Sequence, residues 1–330
     1  MSITVLKPGL LSSFQDLGRM GHQHLGVPVG GAMDSRAHRL ANLLVGNHEN
    51  EATLEITLTG PTLRFDAAAC IAISGAALGP ALNGKPVPNN RPLIIRKGDV
   101  LTFGARTTGL RAYMAWHGGI ELPVLLSSRS TYLRGGFGGY QGRALQANDV
   151  LTPRKRLDDS KLDHLERELW KIKVYLPAAL GLGSRATLRA MRGAHTSLFK
   201  EKSITDFFSS EYRISPQSER MGYRLQGNTL ELKSSVQLLS EATSFGSVQV
   251  PPDGQPIVLM ADRQTTGGYA KIAHIATVDL PILAQCMPGD SIKFAQIDLE
   301  QAQQLDTRRE DTFEQLYQAL TPLRELLANG

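Results

Sequence analysis

Apolar residues along this chain fall mostly in short runs closed off by turn residues, not at the three-and-four spacing of helices. LEITLTGPTLRF (54–65), CIAIS (70–74), LIIRKGDVLTF (93–103), LRAYMAW (110–116), PIVLMAD (256–262) and DSIKF (290–294) read as strands. Helical spacing is confined to a few places. Asp34 or Ser35 caps a helix that aligns Ala37, Leu40, Ala41, Leu44 and Val45 on one face, with Gly46 ending it. A short helix is expected over Ile204 to Ser209. A longer one runs from Asp298 to Leu320, with Pro322 as its breaker. Strands and helices do not alternate as βαβ units, so the expected class is mainly β, a β-rich α+β fold with a few peripheral helices.

Turn chemistry repeats. KGDVLTF (97–103) and PGDSIKF (288–294) share a turn, an aspartate and an alternating strand ending in phenylalanine, and QANDVLTP (146–153) is a looser third copy. Duplication and convergence both explain this. The stretch RKRLDDSKLDHLERELWKIK (154–173) is dominated by charge and flanked by turn-rich sequence. It divides the chain into an N-terminal β-rich lobe (1–153), an exposed, partly helical linker (154–173), a C-terminal lobe (174–297) and a helical tail (298–330).

Composition agrees with many short elements: 32 glycines and 17 prolines stand against 6% aromatics in 330 residues. The net charge of +5 comes from scattered basic residues. Only Arg154-Lys155-Arg156 and Arg308-Arg309 cluster, and no aromatics interleave, so no nucleic-acid partner is expected. Cys70 and Cys286 lie far apart without CxxC spacing and read as free thiols in a reducing compartment. The opening MSITVLKPGLLSS lacks the basic and apolar regions of a signal peptide, and no apolar run reaches membrane-spanning length. These features predict a cytoplasmic protein with no membrane partner.

Missing motifs narrow the chemistry. GxxxxGK[ST], GxGxxG, HExxH, paired CxxC and GxSxG are absent, as is the Met-Lys pair that carries biotin. ATP- or biotin-driven chemistry would therefore need machinery from elsewhere.

Two regions concentrate polar residues around glycines. In FQDLGRMGHQHLGVPVGGAMD (14–34), Arg19 stands between Gly18 and Gly21, where its planar fork can meet a carboxylate or phosphate. Asp16 can orient it or form a plain turn salt bridge with it. His22 and His24 share a face on a strand, but with no third ligand nearby no metal is assigned. Gly30-Gly31 allow close backbone approach. In the C-terminal half, SPQSERMGYRL (215–225) places Arg220, Tyr223 and Arg224 around a glycine. A strand ending at Asp262 runs into RQTTGGY, with Gln264, Thr265, Thr266, Gly267 and Tyr269, and Glu241 and Gln249 can line the same cleft. A tight hairpin with solvated side chains is the plainer explanation of that loop. A carboxylate facing an arginine suits binding and polarising an amide or urea-like group.

These stretches, with ANLLVGN (41–47), GLRAYMAWHGG (109–119) and SRSTYLRGGFGGYQGRAL (128–145), occur in an order that resembles the allophanate hydrolase subunit 2 family. It is also called the biotin-dependent carboxyltransferase A/B family, and the resemblance covers about residues 3 to 296. It implies two cyclophilin-like β-barrel lobes, with 14–34 and 248–269 as opposite walls of a cleft between them. Within that family the chain most resembles a subunit of an ATP-dependent 5-oxoprolinase. Such a subunit works with a related B subunit and an A subunit to open the lactam of 5-oxoproline to L-glutamate. ATP, with Mg expected, enters the complex through whichever subunit binds it, and no covalent biotin is involved. Motif membership carries Asp16, Arg19, Arg220, Asp262 and Gln264 over as catalytic candidates. His22, Tyr223, Arg224, Glu241, Gln249, Thr265, Thr266, Gly267 and Tyr269 become substrate-binding candidates. Family alternatives are a regulatory protein that antagonises a kinase inhibitor and a carboxyltransferase component acting on a urea-like substrate.

Overall fold

The computed structural model describes residues 2–181 and 185–330. Contacts divide the chain into two compact units. One comprises Met1–Gly18, Asp34–Leu182 and Asp311–Gly330; the other comprises Arg19–Met33 and Gly183–Glu310. The chain is mainly β, as its patterning predicts.

The first unit contains two antiparallel sheets. One orders Val150–Leu151, Ile3–Lys7, Thr62–Phe65, Val100–Phe103, Pro80–Leu82 and Lys85–Pro86. The other orders Leu11–Gln15, Thr53–Thr57, Thr108–Trp116, Ala69–Ala77 and Pro92–Ile95. Alternate side chains such as Val5, Leu63 and Leu101 from the first sheet meet Phe14, Ile56 and Trp116 from the second in one core. The run 54–65, expected as one strand, is instead two strands in different sheets. Leu58 has a left-handed φ of 63°, and Gly60-Pro61 turns the chain. A Cβ at Gly60 would lie 2.2 Å from the Phe103 ring, so only glycine allows that turn to pack. The run 93–103 splits similarly at Arg96–Asp99. Strands Ile3–Lys7 and Leu11–Gln15 were not expected from the pattern.

The three related turns share one geometry. Asp99, Asp149 and Asp290 each accept, through Oδ2, the backbone N–H three residues earlier, at 2.7, 2.7 and 2.9 Å. Each also donates its own N–H to that residue's carbonyl. The preceding residues Gly98, Asn148 and Gly289 have φ of 92°, 71° and 97°. These are β-turns whose third position must be left-handed, which selects Gly or Asn.

Asp34 caps the helix Ser35–Leu43 by accepting from the Ala37 N–H at 2.9 Å. Every residue after Ser35 in this helix is buried, including His38. Its Nδ1 lies 2.8 Å from Thr53 Oγ1, and its ring meets Tyr113 edge-on. Burial lowers its pKa to about 4, outweighing the opposing pull of Asp16 and Glu55. The unfolded chain takes up this proton near the usual histidine value, whereas the folded chain does so only near 4. Stability from this site is therefore complete above the unfolded value and falls as pH drops toward 4, by up to about 3 kcal/mol. Urea midpoints between pH 7 and 4, read by the fluorescence of buried Trp116, should fall in the wild type. His38→Gln should flatten that slope; an unchanged slope would remove His38 as its source.

Within 154–173, Leu162–Lys171 forms a helix that buries Leu162, Leu165 and Leu169 and turns its charges outward. Arg96 reaches Asp163 and Glu166 at 2.7 and 2.8 Å from this outer face. Near the C-terminus, Pro322 does not simply end a helix. Leu299–Ala319 stops at Leu320, and Pro322 lies in the first turn of a second helix, Thr321–Ala328. The first-turn N–H groups of a helix have no internal partner, so proline's missing N–H costs nothing there.

The second unit is built on a closed seven-stranded barrel. Its order is Thr187–Arg192, Ala270–Ile275, Ser247–Val250, Ile257–Leu259, Gly222–Gln226, Glu211–Ile214 and Ser291–Gln296. A parallel pairing of the last strand with the first closes it. Phe207 and Phe294 stack at 4.5 Å within its core, beside Tyr212. Met33, from the opening segment, belongs to the same core. Among the described residues no helix is long and apolar enough to cross a membrane.

Candidate functional site

Strand pairing explains how residues 42 positions apart meet. Gly222 pairs with Leu259. Past the end of that ladder Met260 N–H bonds Met221 O at 3.0 Å and Asp262 N–H bonds Arg220 O at 2.9 Å. Both side chains then point the same way. Arg220 donates through Nε and Nη2 to the two Asp262 oxygens at 2.8 and 3.0 Å, with both residues buried. Such a bidentate pair is rigid and directional.

The opening segment supplies the other side of this cluster. Arg19, fully buried, is fixed by its N–H to Val29 O at 2.8 Å. Gly31 accepts Arg220 Nη2 at 2.6 Å. Gly30 has φ 66°, and a Cβ there would stand 3.3 Å from Arg19 Nη1 and 3.6 Å from Asp262 Oδ1. Arg19, Arg220 and Asp262 thus gather around the Gly30-Gly31 backbone, two guanidiniums to one carboxylate.

A second cluster is made of amides. Gln264 Nε2 donates to Gln249 Oε1 at 3.2 Å. Gln249 is buried, and its Nε2 has no hydrogen-bond partner among the described residues. Gly267 leaves room for this amide: a Cβ there would come within 2.6 Å of Gln249 Nε2 and push it aside. Gln23 Nε2 clamps the loop by donating to the Thr243 and Thr265 carbonyls, both at 2.8 Å. Thr243 Oγ1 donates to Gln264 O. The short strands Glu241–Ala242 and Thr266–Gly267 pair beside it. Lys271 Nζ donates to Glu241 Oε1 at 2.8 Å and to Ala242 O at 2.9 Å. That hydrogen bond, with the Lys271 charge and more weakly His195, holds the Glu241 carboxyl below its ordinary pKa.

Among the described residues, the remaining candidates make no side-chain hydrogen bond within these clusters. Tyr223 faces the barrel core, and its hydroxyl donates to Cys286 O at 3.3 Å. Arg224, one residue on, faces outward and is exposed, as strand alternation requires. His22 is half-buried ahead of the turn Gln23–Leu25, and Thr266 and Tyr269 are exposed. Asp16 belongs to the first unit, where Oδ1 accepts from Gly18 N–H, Ser128 Oγ and Ser130 Oγ, and Oδ2 from Arg129 N–H.

Sequence reasoning missed Gln23, Lys271, Ser128 and Ser130. Gln23 lay in plain sight between the two histidines, and the two serines inside SRSTYLRGG. No spacing rule marks a side chain whose partners are carbonyls more than two hundred residues away. Chemically, the Gln249 and Gln264 amides can hold a flat amide group, and Arg19 and Arg220 can stabilise negative charge developing on it.

The model of the family described as "Carboxyltransferase domain, subdomain A and B" matches residues 25–296. The chain is 40% identical over 314 residues to the C subunit of 5-oxoprolinase from Haemophilus influenzae, covering 95% of this chain and 97% of that protein. It is 39% identical to the corresponding 5-oxoprolinase protein of Escherichia coli over the same shares. The crystal structure of the K. lactis urea amidolyase matches 96% of this chain and 20% of its own, with a TM-score of 0.86 at 32% identity. The chain belongs to the carboxyltransferase subdomain A and B family.

Proposed function

We propose that this chain is a subunit of an ATP-dependent 5-oxoprolinase, opening the lactam of 5-oxoproline to L-glutamate together with A and B partner subunits. The observation that carries this is the near end-to-end match, at 40% identity, to a protein named as a subunit of that enzyme. In the proposed reaction the lactam oxygen takes the terminal phosphoryl group of ATP, releasing ADP. Water then adds to the activated ring carbon, and loss of phosphate and cleavage of the C–N bond leave L-glutamate. Arg19 and Arg220 stabilise the negative charge that gathers on oxygen, while Asp262, Gln249 and Gln264 orient the amide. ATP and Mg are supplied within the complex, which suits a cytoplasmic enzyme.

L-Glutamate release from 5-oxoproline, with and without ATP, tests this in the chain alone and in mixture with its A and B subunits. ATP-dependent release only from the full mixture is expected. If the subunits assemble yet release no glutamate, the lactam assignment fails. The alternative is a carboxyltransferase component acting on a urea-like substrate, favoured by the family description and the likeness to urea amidolyase.

A further inference from the structure

Arg263 follows Asp262 directly, but its guanidinium is held differently from Arg220. It is 8% exposed and makes no ion pair with any described residue. Nη1 reaches the Met260 and Ala261 carbonyls only at 3.4 and 3.5 Å, and Nε has no hydrogen-bond partner among the described residues. The Phe245 ring centroid lies 6.0 Å from its Cζ. Burial lowers its pKa to about 10, only partly offset by Asp262. A buried cation with unused donors is costly unless something answers it.

Its charge is felt at the His274 imidazole, and the turn that brings Phe245 near it also carries two hydroxyls. The Gly246 N–H bonds Leu259 O at 2.8 Å and lays the 244–247 turn against the strand that leads to Arg263. Ser244 Oγ and Ser247 Oγ are 2.8 Å apart, and Ser247 Oγ lies 3.4 Å from His274 Nδ1. Burial, then the charges of Arg263 and Lys271, lower the His274 pKa. The neighbourhood is therefore cationic and rich in hydrogen-bonding groups.

We propose that Arg263, together with Ser244, Ser247 and His274 of the neighbouring turn and strand, binds the carboxylate of a small monocarboxylic acid. A guanidinium offers its Nε edge as two parallel N–H groups at the spacing of a carboxylate's oxygens, and the Nε of Arg263 is unused. The serine hydroxyls add donors to the same anion. Resting on the reading above, the acid is the lactam acid, whose ring amide would engage the Gln249 and Gln264 pair while its carboxylate is held here.

The full chain, labelled with 15N at arginine Nε, is titrated by NMR with acetate, 5-oxoproline and inorganic phosphate in turn. The Arg263 signal is assigned by its disappearance in Arg263→Lys. Acetate and 5-oxoproline should shift that signal saturably, with phosphate weaker. Arg263→Lys, which keeps the charge but loses the fork, should weaken carboxylate binding about tenfold. Ser247→Ala, a smaller change, should weaken it less. An unmoved signal at high carboxylate, wild-type affinity in folded Arg263→Lys, or a preference for phosphate would each overturn the site. If acetate binds and 5-oxoproline does not, the carboxylate site stands and the lactam assignment falls. If neither binds while the complete mixture still makes glutamate, the enzyme reading stands and this site falls.

Discussion

Arg220→Ala should destabilise the barrel unit by about 3–5 kcal/mol, because it strands a buried carboxylate. Asp262 is 4% exposed and takes both of its guanidinium bonds from this one side chain. Removing the cation costs the buried carboxylate both of these bonds and leaves the Arg19 guanidinium beside Gly30 to oppose its charge. The Gly31 carbonyl also loses the bond from Arg220 Nη2, so the opening segment loosens as well. Replacing both partners, as Arg220→Met with Asp262→Leu, should cost less than the two single changes together, since the two charges of the pair leave at once. The check is hydrogen exchange of barrel amides in a double-mutant cycle. Additive losses would show that the pair contributes no coupling. In the assembled enzyme Arg220→Ala should abolish turnover; near-normal activity would remove the pair from the site.

Asp16→Ala is the second large effect expected, about 3 kcal/mol or more in the first unit. Three donors converge on Oδ1, from Gly18, Ser128 and Ser130, at 2.8, 2.8 and 2.5 Å, and Arg129 N–H meets Oδ2 at 2.6 Å. Asp16 is 2% exposed, so these groups have no water to fall back on. Asp16→Asn should be little better, because the new NH2 group would confront a donor wherever it pointed. Urea unfolding followed by Trp116 fluorescence measures both. Stability of Asp16→Asn close to wild type would mean that the carboxylate's charge is not what holds the 128–131 loop.

What could be read from the chain was what local chemistry decides. The helix starting at Asp34 was legible because its cap, its apolar face and its closing Gly46 lie within thirteen residues. The turns before Asp99, Asp149 and Asp290 were legible because a left-handed third position and a capping carboxylate write themselves into four residues. The split of 54–65 was not: an apolar alternation that continues through Gly60-Pro61 hides which sheet each half will join. Pro322 misled because proline both stops and starts helices, and tertiary packing decides which. Arg19, Arg220 and Asp262 were marked by their motifs, and strand pairing at Gly222 and Leu259 brings the last two together. The amide network was less accessible. Gln23 acts only through the distant carbonyls of Thr243 and Thr265, and nothing within a short window records that.

The membership of residues 19–33 in the second unit has a consequence for synthesis. Arg19, Gln23 and Gly31 leave the ribosome early, while the strand that closes their barrel ends only at Gln296. At about 5–20 residues per second, on the order of 10–50 s separate the two events. Throughout that interval the segment has no barrel to bind, and its arginines and glycines stay solvated. Ribosome-stalled chains ending before Ser291 should therefore leave 19–33 open to protease, and protection should appear only once the last barrel strand has emerged.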